Sequence, residues 1–179
     1  MSYDINDNIR LYMNGTVKVK LESFRFPAGE IQVRILDDLE WMNLNDQIFC
    51  NFRLVVNIRS SDDLIATMLL LNAVDTVMRI GTGGRRWMVD LEIPYFPYGR
   101  QDRACAPGEA SSAAVICSIL NGAENIDRLI TWDIHSENSL RSLDTSQVHL
   151  TSLRPRYFLA DLIKQMTAVE KTRFQIVCP

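Results

Sequence analysis

Short runs of β-branched and apolar residues alternate with helical patterns along most of this chain, and this alternation limits the possible folds more than any other feature of the sequence. The pattern begins at about Arg53. It is typical of strand–helix–strand units, in which a helix crosses from one parallel strand to the next. We therefore predict an α/β fold with a parallel sheet flanked by helices.

Local signals divide this pattern into individual elements. Ser60, with Asp63 three residues later, forms a helix-capping pair, and the apolar residues that follow suit a buried helix. Pro94 ends a strand because proline has no N–H for a ladder hydrogen bond. The predicted strands are 54–58, 87–93, 128–132 and 174–177, and the predicted helices are 60–78, 109–120 and 156–169.

The N-terminal part of the chain follows a different pattern. Residues 17–21 and 31–35 alternate between apolar and polar side chains at period two, as half-buried strands do. The segment 27–30 between them has the composition of a turn. We predict an antiparallel β-hairpin here, and composition alone makes Glu30 a solvated turn residue.

Composition limits the compartment and the partners. The 179 residues, 47% of them hydrophobic, suffice for the core of one domain. A formal net charge of −3 and a pI near 5.4 argue against nucleic acid or a membrane surface as partner. The four cysteines form no CxxC pair and the N-terminus lacks a signal segment, so we expect a cytoplasmic protein. The longest apolar stretch, 64–78, is too short to cross a bilayer.

A glycine-rich segment at 81–86 has the composition of a phosphate-binding loop. It follows a predicted helix and precedes a predicted strand, whereas phosphate loops run from a strand into a helix. We interpret it as a connector.

Two loops after predicted strands carry the residues best suited to chemistry. Ligands of doubly wound sheets collect beyond the carboxyl ends of the strands. After strand 87–93, two prolines and three aromatic residues precede Arg100 and Arg103, whose guanidiniums can hold phosphate oxygens. After strand 128–132 come Asp133 and His135, which would point to one side of an extended segment and could share a metal ion or a metal-bound phosphate. We predict a site for a nucleoside triphosphate and a metal at this edge.

Each motif also has an ordinary structural explanation. Charged side chains in a loop most often form a solvated ion pair worth under about 1 kcal/mol, and an isolated Asp-x-His is usually a surface or capping feature. The position of both motifs at one edge of the sheet favours the site. The other histidine, His149, is expected to be a partly buried, hydrogen-bonded structural residue.

In order and spacing, these motifs resemble the N-terminal half of the ribose-phosphate pyrophosphokinases, also called phosphoribosyl pyrophosphate synthetases. The resemblance covers roughly residues 24–179 and implies a phosphoribosyltransferase-like sheet. It rests on the hairpin tip 26–30, the aromatic loop 93–103, the small-residue helix after it, and the segments 131–135, 148–150 and 176–179.

The resemblance implies a reaction and a set of roles. The diphosphoryl group of ATP would move to the anomeric hydroxyl of ribose 5-phosphate, giving phosphoribosyl pyrophosphate and AMP. Such a transfer needs positioning and charge neutralisation rather than covalent help. Asp133 and His135 would hold Mg²⁺ with the triphosphate, directly or through water. The implied ATP-binding residues are Phe26, Ala28, Gly29, Glu30, Arg100, Gln101 and Asp102.

The resemblance further implies an assembly larger than one chain. In the family, the hairpin reaches the site of a neighbouring subunit, so we expect a homo-oligomer. Residues 1–179 would form the N-terminal ATP-binding domain of a two-domain diphosphokinase. The catalytic residues and the sugar-binding loop are expected in a second domain beyond Pro179, so the chain alone should be inactive.

Two other classes of function compete with this interpretation. A non-catalytic subunit that regulates an active synthetase would keep the fold and the interface, and two features favour it: Ala28, where the family usually has Asp or Asn, and the short loop 104–108. Retention of the phosphate- and metal-binding residues favours the enzyme. A complete small phosphoribosyltransferase would need an acidic pair followed by a glycine- and threonine-rich phosphate loop, and the sequence has no such motif.

Overall fold

The structure is a computed structural model, and it describes residues 4–5, 8–37, 49–81, 86–123 and 125–170. In chain order its elements are β1 (Ile9–Met13), β2 (Val17–Val19), β3 (Leu21–Arg25), β4 (Ile31–Ile35), β5 (Phe49–Val56), α1 (Ser61–Gly81), β6 (Arg86–Ile93), α2 (Ser112–Asn121), β7 (Ile126–Trp132), a 3-10 helix (Glu137–Leu140), β8 (His149–Leu153) and α3 (Pro155–Glu170).

A six-stranded sheet in the order β2-β1-β5-β6-β7-β8 forms the centre of the described part of the chain. β5 to β8 run parallel, while β1 pairs antiparallel with both β2 and β5. The carboxyl ends of β5, β6, β7 and β8 therefore meet at one edge. The predicted α/β fold, a largely parallel sheet flanked by helices, is confirmed.

One face of the sheet carries the hydrophobic core. Leu54, Leu91 and Leu129 lie on three adjacent strands and are at most 1% exposed. Leu70 of α1 and Ile116 of α2 belong to the same buried cluster. Because successive residues of a strand point to opposite faces, the residues directly before and after each of these leucines lie on the face away from the core.

The N-terminal hairpin is present, but its strands differ from the prediction. The run 17–21 is divided at Lys20: β2 pairs with β1 in the main sheet, whereas β3 pairs with β4 in a separate two-stranded sheet. The N–H of Lys20 donates to Asp37 Oδ2 at 2.7 Å, outside both ladders. Period-two alternation marks a strand without identifying its partner, and β1 is missing from the prediction altogether.

The capping pair predicted for α1 is confirmed. The N–H of Ser60 donates to Asp63 Oδ2 at 2.8 Å, and the N–H of Asp63 donates to Ser60 Oγ at 3.3 Å. Asp63 is buried and also accepts from Asn8 Nδ2 at 2.8 Å, which ties the helix start to the segment before β1. α1 ends at Gly81 and β6 begins at Arg86, so the glycine-rich segment is a connector; residues 82–85 lie outside the described part of the chain.

The remaining elements match the prediction with shifted bounds. α2 begins three residues after the predicted start at 109, because the carboxylate of Glu109 accepts from the N–H groups of Cys105 and Ala106 at 2.7 and 3.0 Å and so closes a turn of the preceding loop. α3 differs from the predicted 156–169 by one residue at each end. The strand predicted at 174–177 lies outside the described residues.

β8 is a strand that the sequence pattern does not predict. It pairs with β7 at one edge of the sheet, and its residues are exposed or half-buried, so no buried alternation reveals it. His149, at its first position, is exposed. The expectation of a partly buried histidine is therefore wrong, because its strand lies at the edge of the sheet.

No helix among the described residues combines the length and the hydrophobicity that a membrane span requires.

Candidate functional site

The two loops singled out by the sequence meet at the carboxyl edge of the sheet. The N–H of Trp132, at the end of β7, donates to the carbonyl of Pro94, just after β6, at 3.0 Å. A cavity of about 560 Å³ opens between the loops. Its lining consists of Pro94, Tyr95, Phe96, Gly99, Arg100, Trp132, Asp133, Ile134 and His135. The structure thus brings Arg100, Asp133 and His135 together, as predicted.

The loop after β6 is held as a fixed turn. Phe96 is buried beneath it, and the N–H of Gly99 donates to the carbonyl of Phe96 at 3.3 Å. A Cβ at Gly99 would lie only 3.2 Å from that carbonyl oxygen, which leaves little room for a side chain. Tyr98 has a left-handed φ of 56°, a conformation that costs energy for a residue other than glycine. Arg100 follows this turn with its side chain exposed.

A residue outside the predicted site secures the same loop. Ser139, in the 3-10 helix, is 1% exposed and donates its hydroxyl to the carbonyl of Gly99 at 2.6 Å. The carbonyl of Ser139 accepts from the thiol of Cys117 on α2 at 3.4 Å. Burial raises the pKa of the Cys117 thiol, so this group stays protonated at neutral pH. The sequence contains no signal for this connection, since a serine in a polar segment looks like a surface residue.

The backbone at Asp133 differs from the prediction. The argument for Asp133 and His135 assumed an extended segment, but Asp133 has a left-handed φ of 45°. Its N–H donates to the carbonyl of Leu153 on β8 at 2.8 Å. Aspartate tolerates this conformation better than most residues. Both side chains nevertheless line the same cavity, because the turn follows directly from the end of β7.

A second cavity, of about 590 Å³, lies on the other side of the Asp133–His135 segment, towards β8. Ser152 and Arg154 contribute to its lining, together with Asp133 and His135. Both additional residues are absent from the predicted site because β8 itself is not predicted. Arg154 is therefore a second cationic side chain, in addition to Arg100, that lines a cavity with Asp133 and His135.

Asp133 and His135 could supply only part of a metal-binding site. Among the described residues there is no group of three His, Cys, Asp or Glu side chains that could hold a metal ion. Carboxylate oxygen suits Mg²⁺, which keeps several water or phosphate ligands, whereas imidazole suits it less well directly. The donor set therefore fits a metal that arrives with an anionic ligand, with His135 acting through water or phosphate.

Gln101 and Asp102 lie next to the cavity without lining it in the described part of the chain. The backbone of Gln101 joins two elements: its N–H donates to the carbonyl of Tyr98 at 2.8 Å, and its carbonyl accepts from Ala113 of α2 at 3.2 Å. The side chain of Gln101 is exposed and that of Asp102 is half-buried.

The hairpin residues are not brought to this site within one chain. Phe26, Ala28, Gly29 and Glu30 lie at the exposed tip between β3 and β4, and none of them lines either cavity. Phe26 is 46% exposed. Arg25 supports the tip by donating to the carbonyl of Gly29 and to Asp62 of α1, the latter at 2.6 Å. The tip is thus held in place and its aromatic ring is available to another molecule.

Comparisons with known proteins confirm the resemblance. No protein-family model matches the sequence. The chain is 29% identical over 136 residues to a ribose-phosphate pyrophosphokinase of Methanosarcina acetivorans, and the aligned region covers 76% of this chain and 41% of the relative. It is 30% identical over 126 residues to a ribose-phosphate pyrophosphokinase of Methanosarcina mazei, and the aligned region covers 70% of this chain and 36% of the relative. The chain therefore spans less than half the length of these relatives.

A solved structure has the same fold. The crystal structure of phosphoribosylpyrophosphate synthetase from Mycobacterium smegmatis superposes with a TM-score of 0.58 at 20% sequence identity. The match covers 85% of this chain and 45% of that chain. At this identity the likeness supports the fold alone.

Proposed function

We propose that this chain, a homologue of the ribose-phosphate pyrophosphokinases, is the ATP- and magnesium-binding part of an enzyme that transfers the diphosphoryl group of ATP to ribose 5-phosphate. The observation that carries the proposal is the meeting of Arg100, Asp133 and His135 around one cavity at the carboxyl edge of the sheet. A cation and two metal-binding side chains at such an edge suit a metal-bound triphosphate.

In this proposal Arg100 binds the triphosphate. Its planar guanidinium can donate two parallel hydrogen bonds to phosphate oxygens, which a lysine cannot do. The rigid turn at Gly99 supports this role, because a fixed backbone lowers the entropy lost when the side chain is ordered. Gln101 and Asp102 would contact the part of ATP that extends from the cavity.

Asp133 and His135 would hold Mg²⁺ together with the triphosphate oxygens. When bound, the ion would neutralise charge on the phosphates and favour attack at the β-phosphorus. Asp133 would contribute a carboxylate oxygen, and His135 would act through water or phosphate. The left-handed backbone of Asp133 is the kind of local cost that is often found at functional sites.

The proposal assigns the hairpin to a neighbouring subunit's site. Phe26, with Ala28, Gly29 and Glu30, would contact the nucleotide base there, which requires a homo-oligomer. An exposed aromatic ring on a supported tip fits this use, because bases stack on aromatic faces. Residues 1–179 would be the N-terminal, ATP-binding domain of a two-domain diphosphokinase. The sugar site and the catalytic residues would belong to the other domain, and the enzyme would be cytoplasmic.

Titration of this chain with magnesium-ATP in a calorimeter tests the proposal. The wild-type chain should bind, and His135→Ala should weaken binding. His149→Ala is a matched control, since His149 is exposed on β8 and lines neither cavity. A wild-type chain that binds no magnesium-ATP would overturn the proposal and favour a non-catalytic regulatory subunit. Release of AMP when ribose 5-phosphate is added to the complete protein would test the reaction itself.

A further inference from the structure

A buried carboxylate on the far face of the sheet connects three strands beside the candidate site. Glu92 on β6 is 7% exposed and accepts hydrogen bonds from both neighbouring strands. Arg53 of β5 donates to its Oε2 through Nε at 3.0 Å and through Nη2 at 2.5 Å. Trp132 of β7 donates to its Oε1 through the indole Nε1 at 3.3 Å. Each carboxylate oxygen therefore has its own partner.

The strand register explains why these three side chains meet. Glu92 pairs directly with Val55 of β5 and Ile130 of β7. Arg53 and Trp132 lie two residues from those partners and so point to the same face of the sheet. The carboxylate thus reaches diagonally to both sides, towards the start of β5 and towards the end of β7.

Trp132 connects the Glu92 carboxylate to the candidate site. Its backbone N–H is bound to Pro94, and the next residue, Asp133, donates its own N–H to Leu153 at 2.8 Å. Trp132 is 36% exposed and lines the cavity of about 560 Å³ together with Asp133. One residue therefore sets both a wall of the cavity and the start of the left-handed turn.

We propose that Glu92 is a positioning residue for this site: by holding the indole of Trp132, it fixes the cavity wall and the backbone that presents Asp133. The proposal rests on the proposed function, because magnesium-ATP is the ligand whose affinity reports it. Arg53 balances the buried negative charge and leaves Oε1 for the indole. A glutamine in place of Glu92 has a single acceptor oxygen and turns an amide N–H towards a donor, so one of the two partners loses its hydrogen bond.

Substitutions at both ends of the Glu92–Trp132 hydrogen bond test the proposal. Glu92→Gln and Trp132→Phe should each raise the Kd of magnesium-ATP about tenfold, a size expected for a hydrogen bond to a charged group. The double variant should be no weaker than the worse single variant, because both changes break the same connection.

Asp75→Asn is the matched control. The carboxylate of Asp75 also bridges two donors, Arg79 Nε at 2.7 Å and Asn125 Nδ2 at 2.8 Å, but it lies near the amino ends of the strands. Its substitution should lower the unfolding midpoint by an amount similar to Glu92→Gln and leave the Kd unchanged. If lost stability alone weakened binding, the Kd of magnesium-ATP would rise in both variants. If Glu92 positions the site, the Kd rises only in Glu92→Gln.

Amide hydrogen exchange in the ligand-free chain separates this proposal from the proposed function. Glu92→Gln should speed exchange of the Asp133 N–H, and Asp75→Asn should not. If the wild-type chain binds no magnesium-ATP, the proposed function fails and the exchange rate alone decides the role of Glu92. The positioning role is wrong if Glu92→Gln exchanges at the wild-type rate, or if the two substitutions weaken nucleotide binding additively.

Discussion

The backbone N–H of Trp132 donates to the carbonyl of Pro94 at 3.0 Å, and this hydrogen bond joins the two loops that make up the candidate site. The loop after Pro94 leads to Arg100, and the residue after Trp132 is Asp133. The cation and the carboxylate therefore sit on backbones that are linked at their bases. Because main-chain bonds survive side-chain substitution, individual side chains of the site can be replaced while its framework remains.

Replacement of Arg100 by lysine should weaken binding of magnesium-ATP about tenfold, because lysine keeps the charge and loses the bidentate geometry. Calorimetry measures the change. Arg10→Lys is the control, since Arg10 is exposed on β1 and lines neither cavity, and it should bind like the wild type. Equal affinities for Arg100→Lys and the wild type would contradict a triphosphate contact at Arg100.

Asp133→Asn should weaken nucleotide binding only when magnesium is present. Asparagine tolerates a left-handed φ about as well as aspartate, so the backbone and the free energy of unfolding should change little. Asp133→Ala should in addition cost about 1 kcal/mol of stability, since alanine tolerates this conformation poorly. Titrations with ATP alone and with magnesium-ATP make the comparison. Equal weakening in both would argue against a metal contact at Asp133.

Ser139→Ala should destabilise the fold by about 1–2 kcal/mol, because the buried carbonyl of Gly99 loses its hydroxyl donor. The midpoint of denaturant unfolding measures this cost. Ser118→Ala is the control: Ser118 is exposed, and its hydroxyl donates only to the helix carbonyl of Ala114 at 3.0 Å. We also expect weaker magnesium-ATP binding for Ser139→Ala, since the turn before Arg100 is loosened. Two equal unfolding midpoints would show that the Ser139 hydroxyl does not secure the loop.

Asp63→Ala should lower the free energy of unfolding by about 1–3 kcal/mol, because it removes the helix cap and leaves partly buried donors without their acceptor. Those donors include the N–H groups of Arg59 and Ser60, at 2.9 and 2.8 Å. Ser61→Ala, at the exposed first position of α1, should change the midpoint little. Guanidinium titrations followed by circular dichroism provide the measurement, and an unchanged midpoint for Asp63→Ala would refute the structural role of the cap.

Iodoacetamide should modify Cys105 in the native protein at neutral pH and spare Cys117. Cys105 is exposed in the loop before α2, whereas burial both hides the thiol of Cys117 and raises its pKa, which lowers the reactive thiolate fraction. Peptide mass spectrometry after timed quenching distinguishes the two sites. In denaturant their rates should converge, and comparable rates in the folded chain would mean that α2 does not protect Cys117.

Local signals were sufficient for much of the fold. The capping pair Ser60 and Asp63, the strand-ending Pro94 and the apolar periodicity of α1 act over a few residues, so the sequence identifies them directly. The same holds for the shared edge of the two functional loops, because parallel strands joined by crossover helices bring their carboxyl ends together. The roles assigned to Arg100, Gln101, Asp133 and His135 stay predictions until binding is measured.

Apart from shifted element bounds, the failures of sequence reasoning involve partners distant along the chain. β8 has no buried alternation, so its pairing with β7 and the exposure of His149 become apparent only in the sheet. The division of 17–21 between two sheets depends on β1, which the pattern does not distinguish from the other alternating runs. The left-handed turn at Asp133 depends on a hydrogen bond to Leu153 on that same unpredicted strand.

The sequence by itself determined the fold class, the order of most elements and the edge at which the two candidate loops lie, because periodicity, capping and proline act through neighbouring residues. Tertiary structure alone decided which side chains share the cavity, how Ser139 secures the turn before Arg100, and that Glu92 lies between Arg53 and Trp132. These relationships depend on strand register and on burial. A difference of two positions along a strand decides which side chains meet, and no local pattern specifies it.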